Sequence, residues 1–119
     1  MSSNTRFEDK PEQERLEKLK ALIEKHPNKI PIVIQAAPKS KLEKKECFRF
    51  VSKQTTLFSH FSKQVRAALE MKDKEQLFFY NKKGAIVKPE STMEELEKTS
   101  KEKDGFLYFD YQEVETFGA

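Results

Sequence analysis

Gly118 is the residue whose type and position most clearly suggest chemistry, because it follows an aromatic residue in the segment VETFGA, residues 114–119. A glycine carboxylate has no side chain beside it, so it can enter narrow active-site channels that exclude other residues. A frayed tail would more often be polar throughout. The segment alone leaves two interpretations open, a tail without function or a handle for covalent attachment.

A nucleophile and base pair is the second chemical candidate, with Cys47 as the thiol and His26 or His60 as the base. Neither histidine lies in a recognisable local signature, so a small enzyme built on Cys47 is retained only as an alternative. One cysteine and two histidines do not supply a convincing zinc site, and three scattered glycines do not form a phosphate loop. We therefore expect no catalytic residue, no metal and no cofactor.

The composition predicts a small, highly solvated globule. The chain has 119 residues, of which 36% are hydrophobic and 36% charged, and its aromatic residues are concentrated in short clusters. This length suits one domain with a single core. We expect no membrane-spanning run and no signal peptide, so membrane association would come from a partner or a covalent lipid. The single cysteine excludes an intrachain disulfide and is compatible with a reducing compartment.

Charge is unevenly distributed along the chain. Basic residues dominate positions 39–53, and acidic residues dominate from Glu90 onward. Such a polarised surface could recognise acidic partners, although charge runs are usually solvated faces, and the loop 37–46 is interpreted first as one. Basic and aromatic residues together could bind RNA, but the acidic last third argues against nucleic acid as a partner.

Apolar periodicity predicts a helix, two strands, a second helix, two further strands, a short helix and a last strand. The predicted ranges are a helix at 11–26, strands at 29–36 and 47–51, a helix at 57–70, strands at 77–80 and 85–87, a helix at 93–98 and a strand at 104–111. This is the β-grasp order with an additional leading helix. The expected fold is α+β, with an N-terminal helical extension at 1–28, a ubiquitin-like β-grasp domain at 29–112 and a flexible tail at 113–119.

Several local features carry their own expectations. Pro31 should either weaken the local pairing of its strand or lie at the strand's start, and Gly84 should supply positive φ in a turn. Ser91 with Glu94 predicts a capping box for the short helix. Phe7 is the possible anchor of an otherwise mobile segment, residues 1–10. The alternation around Phe106 predicts a strand face that is available to a partner.

Three motifs in order resemble one protein family. They are EKHPNKIPIVI at 24–34, KDGFLYFDY at 103–111 and ETFG at 115–118. They are similar to the autophagy-related ubiquitin-like modifiers, the light-chain-three and GABARAP type of the autophagy-related protein eight family. The resemblance extends from about residue 11 to residue 118, nearly the whole chain.

The resemblance implies a role for the tail. A processing cysteine protease would remove Ala119, with Phe117 as the anchor that positions the tail. The freed Gly118 carboxylate would be adenylated, passed through thioesters on activating and conjugating enzymes, and joined by an amide bond to phosphatidylethanolamine. Glycine suits these steps because no side chain blocks the incoming nucleophile. The protein would then be cytoplasmic, and on the autophagosome membrane when lipidated.

The resemblance also implies binding of autophagy receptors and cargo with aromatic-x-x-aliphatic motifs, by strand addition to the second strand. The aromatic pocket would comprise Leu22, Pro31, Val33, Arg49, Val51 and Phe106. The aliphatic pocket would comprise Phe50, Phe61 and Val65, with Arg66 nearby. Lys44, Lys45 and Arg49 would steer an acidic flank.

The sequence departs from the family pattern at Lys18, where an acidic residue is usual, and at Ala67 and Ala68, where a basic residue is usual. The usual proline after the second strand is also absent, since VSKQ stands there. These departures affect motif preference more than fold or tail. An unconjugated adaptor that uses the same grooves is the alternative function.

Overall fold

The computed structural model describes residues 6–38, 47–71 and 76–113. A 3₁₀ helix at Phe7–Asp9 precedes α1 at Glu12–Lys25, and two strands follow, β1 at Ile30–Ala36 and β2 at Cys47–Ser52. Next come α2 at Phe58–Ala68, β3 at Leu77–Tyr80, α3 at Met93–Ser100 and β4 at Leu107–Glu113. The predicted α+β class and element order are confirmed, except for the brief strand at 85–87.

The four strands form one mixed sheet in the order β2-β1-β4-β3. β1 pairs antiparallel with β2 and parallel with β4, while β3 pairs antiparallel with β4. Pro31 pairs with Val51, and the pairing of β1 with β4 begins one residue later, at Ile32. Pro31 thus lies at the start of the strand, which is one of the two predicted outcomes, before β1 becomes central.

The first core fills the space between the sheet and α2. One face of β1 contributes Ile30, Ile32 and Ile34, which are nearly or fully buried. The apolar side of α2 contributes Phe58, Phe61 and Val65 at helical spacing to the same cluster. This packing holds α2 across the sheet, which is the β-grasp arrangement that the sequence predicted.

The second core lies on the opposite face of the sheet, under the N-terminal elements. Phe7, Val33, Phe106 and Tyr108 form a buried cluster against which side chains of α1 pack. Phe106 is 0% exposed and Tyr108 is 1% exposed, so the expectation of an available strand face was wrong. The face is covered because α1 and Phe7 pack on it. The expectation that Phe7 is an anchor is confirmed, since it is 1% exposed.

The predicted brief strand at 85–87 is absent. Residues 81–84 form a turn in which Gly84 has φ of +85°, as expected for this glycine. The side-chain oxygen of Asn81 accepts from the amides of Lys83 and Ala85. Because the amide of Ala85 is engaged in the turn, only an isolated bridge from Ile86 to Tyr80 follows.

The capping box of α3 is shifted by one residue from the prediction. Thr92 is the N-cap and Glu95 its reciprocal partner, whereas the sequence suggested Ser91 and Glu94. The backbone of Ser91 instead belongs to the preceding turn, where its amide donates to the carbonyl of Lys88. Its carbonyl accepts from Phe58 at the start of α2.

Thr92→Ala is therefore expected to lower the free energy of unfolding by about 1 kcal/mol, because it removes the oxygen that accepts the amide of Glu95. Ser91→Ala is the matched control, since no capping bond of α3 uses its side chain, and it should change stability by less than about 0.5 kcal/mol. Urea denaturation of both variants measures the difference. Equal losses of stability in the two variants would contradict the assignment of Thr92 as the N-cap.

Candidate functional site

β2 is an edge strand. Within the part of the chain that the structure describes, it pairs with β1 and with no other strand. The outer edge of such a strand offers backbone donors and acceptors to an added strand. This edge is the one on which the sequence placed its peptide-binding prediction.

One side of this edge brings together the predicted aromatic pocket. Opposed residues of an antiparallel pair share a face, and Pro31 is opposite Val51 while Val33 is opposite Arg49. Val33 also belongs to the second core cluster with Phe106. Leu22 of α1 packs against that cluster and forms an adjoining wall.

The six residues of the predicted aromatic pocket differ in their exposure to solvent. Pro31, Val33 and Phe106 are buried, Leu22 and Val51 are half-buried, and Arg49 is exposed. Leu22, Val51 and Arg49 therefore form the accessible part of the predicted site, above a buried apolar layer. Lys18 of α1, the departure noted in the sequence, is half-buried.

The other side of the edge brings together the predicted aliphatic pocket. The ring of Phe50 lies 5.5 Å from that of Phe61, edge to face. Phe61 and Val65 are fully buried in the first core, whereas Phe50 is half-buried. Arg66 is half-buried one residue further along α2. These side chains come from β2 and α2 and mark the position of the predicted aliphatic groove.

Sequence reasoning missed one aromatic residue of this groove. Phe48 lies two residues before Phe50 on the same face of β2, with ring centroids 5.8 Å apart. It is half-buried and packs against the first core. The alternation in CFRF was the available signal, because residues two apart on a strand share a face.

A partly buried ion pair links α1 to the segment that precedes β4. Arg15 donates to Asp104 with an N–O distance of 2.7 Å, and the hydroxyl of Tyr108 donates to the same carboxylate. The other oxygen of Asp104 accepts from the amide of Phe106 at 3.0 Å. Burial, together with the neighbouring Asp104, raises the pKa of Tyr108. α1 is thereby linked to Phe106 and to the start of β4.

Cys47 does not support the alternative of a thiol enzyme. It opens the edge strand β2 and is an exposed residue, but partial burial of its thiol raises the pKa. A raised pKa lowers the fraction of thiolate, which is the nucleophilic form. Among residues 6–38, 47–71 and 76–113, the structure shows no group of three or more metal-ligating side chains.

The tail residues Phe117, Gly118 and Ala119 lie outside the described residues, as do Lys44 and Lys45. Their predicted roles are therefore not tested by the geometry. No helix in the described parts of the chain has the length and apolar character needed to cross a membrane.

Comparison with known proteins gives a consistent result. Residues 14–118 match the family model described as "Autophagy protein Atg8 ubiquitin like". The chain is 29% identical over 105 residues to microtubule-associated protein 1 light chain 3 gamma of Homo sapiens, covering 87% of this chain and 71% of that protein.

It is also 29% identical over 105 residues to autophagy-related protein 8h of Arabidopsis thaliana, covering 88% of this chain and 87% of that protein. The crystal structure of Trypanosoma brucei ATG8 superposes with a TM-score of 0.78 at 21% identity, covering 98% of this chain and 100% of that one. The likeness to that structure concerns the fold.

Proposed function

Because this chain belongs to the Atg8 family of ubiquitin-like autophagy proteins, we propose that it is a modifier conjugated through Gly118 to phosphatidylethanolamine. In autophagosome formation it binds receptors and cargo that carry aromatic-x-x-aliphatic motifs. It is not an enzyme in this proposal, since a processing protease and the activating and conjugating enzymes supply the catalysis. It is cytoplasmic, and on the autophagosome membrane when lipidated.

The observation that supports peptide binding is that the residues predicted for the two pockets lie on opposite faces of the same edge strand. Arg49 and Val51 point to the aromatic pocket, while Phe50 points to the aliphatic one. A peptide that pairs with β2 is itself extended, so its side chains alternate between faces. Residues three apart then point in opposite directions, and this is the spacing of the aromatic and aliphatic anchors.

Charge supports the expected acidic flank of the ligand. Arg49 is exposed beside the aromatic pocket, and its cross-strand neighbour Val33 is fully buried. A carboxylate on the peptide next to its aromatic residue would meet this guanidinium while the ring packs on the half-buried side chains of Leu22 and Val51. Such complementarity favours the encounter rate and selectivity more than affinity.

The extent of the family match supports attachment at Gly118. The match ends at residue 118, so it includes Gly118 and leaves out Ala119. A conjugated phospholipid carries two acyl chains, which is enough for stable anchoring without a membrane-spanning helix.

One observation favours the adaptor alternative. All residues predicted for both pockets lie between Leu22 and Phe106 in the sequence, so the prediction assigns no tail residue to peptide binding. An unconjugated protein could therefore bind the same ligands. The state of residues 118 and 119 in cells distinguishes the two functions.

The groove is tested by replacing Arg49 and Val51 together with alanine. A peptide with acidic residues before a Trp-x-x-Leu motif should lose about 2 kcal/mol of binding free energy or more, about 30-fold in Kd, if these are anchor contacts. Isothermal titration calorimetry measures the loss, with circular dichroism to check folding.

Lys83→Ala with Ile86→Ala is the matched control, since it removes an exposed cation and an exposed aliphatic residue near the opposite sheet edge. Its peptide affinity should equal that of the unaltered protein. An unchanged titration curve for the Arg49 and Val51 variant would refute the pocket assignment.

A further inference from the structure

Residues 6–10 form a strap that precedes α1, and Arg6 makes three of the hydrogen bonds that hold it in place. Arg6 donates from three nitrogens: Nε to Glu8 at 2.8 Å, Nη1 to the carbonyl of Ala36 at 2.8 Å, and Nη2 to Asp110 at 2.6 Å. One side chain thereby joins the strap to β1 and to β4. Lysine carries the same charge, but its single ammonium group cannot reproduce the planar set of donors that arginine offers.

Gln35 of β1 makes two hydrogen bonds to the strap. Its side-chain oxygen accepts from the amide of Phe7 at 2.9 Å, and its side-chain nitrogen donates to Glu8 at 2.6 Å. Gln35 is buried, and both its side-chain oxygen and its side-chain nitrogen have hydrogen-bond partners in the strap. Burial raises the pKa of Glu8, but the bonds from Arg6 and Gln35 outweigh it and hold that pKa below its ordinary value.

The strap places Phe7 against the floor of the aromatic pocket. The ring of Phe7 lies 5.1 Å from that of Phe106, edge to face, and 6.1 Å from that of Tyr108. Leu22 packs against the same cluster, which also contains Val33. Three of the six predicted pocket residues therefore share a packed cluster with the strap.

We propose that the strap is a positioning element of the aromatic pocket, in which Arg6 holds Phe7 and Phe7 holds Phe106 and the α1 wall. This inference rests on the proposed peptide binding. A pocket that is already formed costs a ligand less ordering free energy. Loosening the strap should therefore weaken the binding of a ligand whose aromatic residue occupies this pocket. It should have little effect on a ligand that lacks this residue.

The test couples a change in the protein to a change in the peptide. Kd is measured for the Trp-x-x-Leu peptide and for its Trp→Ala counterpart, against the unaltered protein and Arg6→Ala. Arg6→Ala should weaken the Trp peptide by about fivefold and the Ala peptide by less than about twofold. Arg6→Lys, which keeps one charged donor group, should give an intermediate loss.

Lys10→Ala is the control from the same strap, because its side chain makes only a 3.4 Å ion pair with Glu14 on a partly exposed surface. It should leave both affinities unchanged. Hydrogen exchange of the α1 amides gives a second readout, and it should quicken in Arg6→Ala and stay unchanged in Lys10→Ala.

Equal weakening of both peptides by Arg6→Ala would overturn the inference, since it would indicate general destabilisation. Unchanged affinity for the Trp peptide would also overturn it, whatever the exchange rates. If the unaltered protein bound neither peptide, the peptide-binding part of the proposed function would fail first, and the inference would fall with it.

Discussion

Gly118→Ala is expected to abolish membrane attachment while leaving peptide affinity unchanged. In the proposed chemistry the Gly118 carboxylate passes through narrow thioester sites, where a side chain would obstruct the nucleophile. The groove residues lie between Leu22 and Phe106, so the substitution does not alter them. Membrane flotation and calorimetry with the Trp-x-x-Leu peptide measure the two properties separately.

A chain that ends at Gly118 is the control, because it needs no proteolytic processing and should still be attached. Intact-mass analysis of the C-terminal peptide from the membrane fraction identifies the product. Loss of Ala119 with a phospholipid-sized addition on Gly118 would establish processing and conjugation together. A Gly118→Ala protein that still floats with membranes would contradict the proposal. An unmodified TFGA end during induced autophagy would leave the adaptor function.

Phe58→Ala is expected to lower the free energy of unfolding by about 3–5 kcal/mol. Phe58 opens α2 and is 2% exposed, with edge-to-face contacts to Phe79 at 5.1 Å and Phe109 at 5.0 Å. It also lies 5.8 Å from Phe61 of the aliphatic pocket. Its removal leaves a cavity where α2 meets the sheet. Urea denaturation measures the loss, which is a large part of a typical domain's stability.

Phe78→Ala is the matched control for this deletion. Phe78 lies on β3 and is 45% exposed, so losing the same atoms should cost about 1 kcal/mol or less. Similar losses for Phe58→Ala and Phe78→Ala would contradict the assignment of Phe58 to the core.

Most of the fold was predictable from local patterns in the sequence. The isoleucines of β1 alternate with Pro31, Val33 and Gln35, and the apolar residues of α2 recur at helical spacing. These periods follow from backbone geometry alone. They were sufficient for element type and order, and that order by itself indicated the β-grasp topology.

Boundaries that depend on competing hydrogen bonds were less predictable. Ser91 and Thr92 are both good N-caps, and the choice fell to Thr92 because the backbone of Ser91 bonds to Lys88 and Phe58. The side chain of Asn81 likewise takes the amide that a strand at 85–87 would have used. The bond from Phe58 reaches Ser91 from a distant part of the sequence, and the nearer bonds compete with alternatives that are equally local.

Local sequence patterns also could not predict which face of the sheet other elements would cover. Alternation correctly put Phe106 and Tyr108 on one face, but it carries no information about what packs on that face. The contact from Arg6 to Asp110 joins residues 104 positions apart, and Phe7 and α1 close over the same face. The sequence was enough for strand faces and element order. Packing between distant segments determined which face is buried, because burial is a property of the assembled chain.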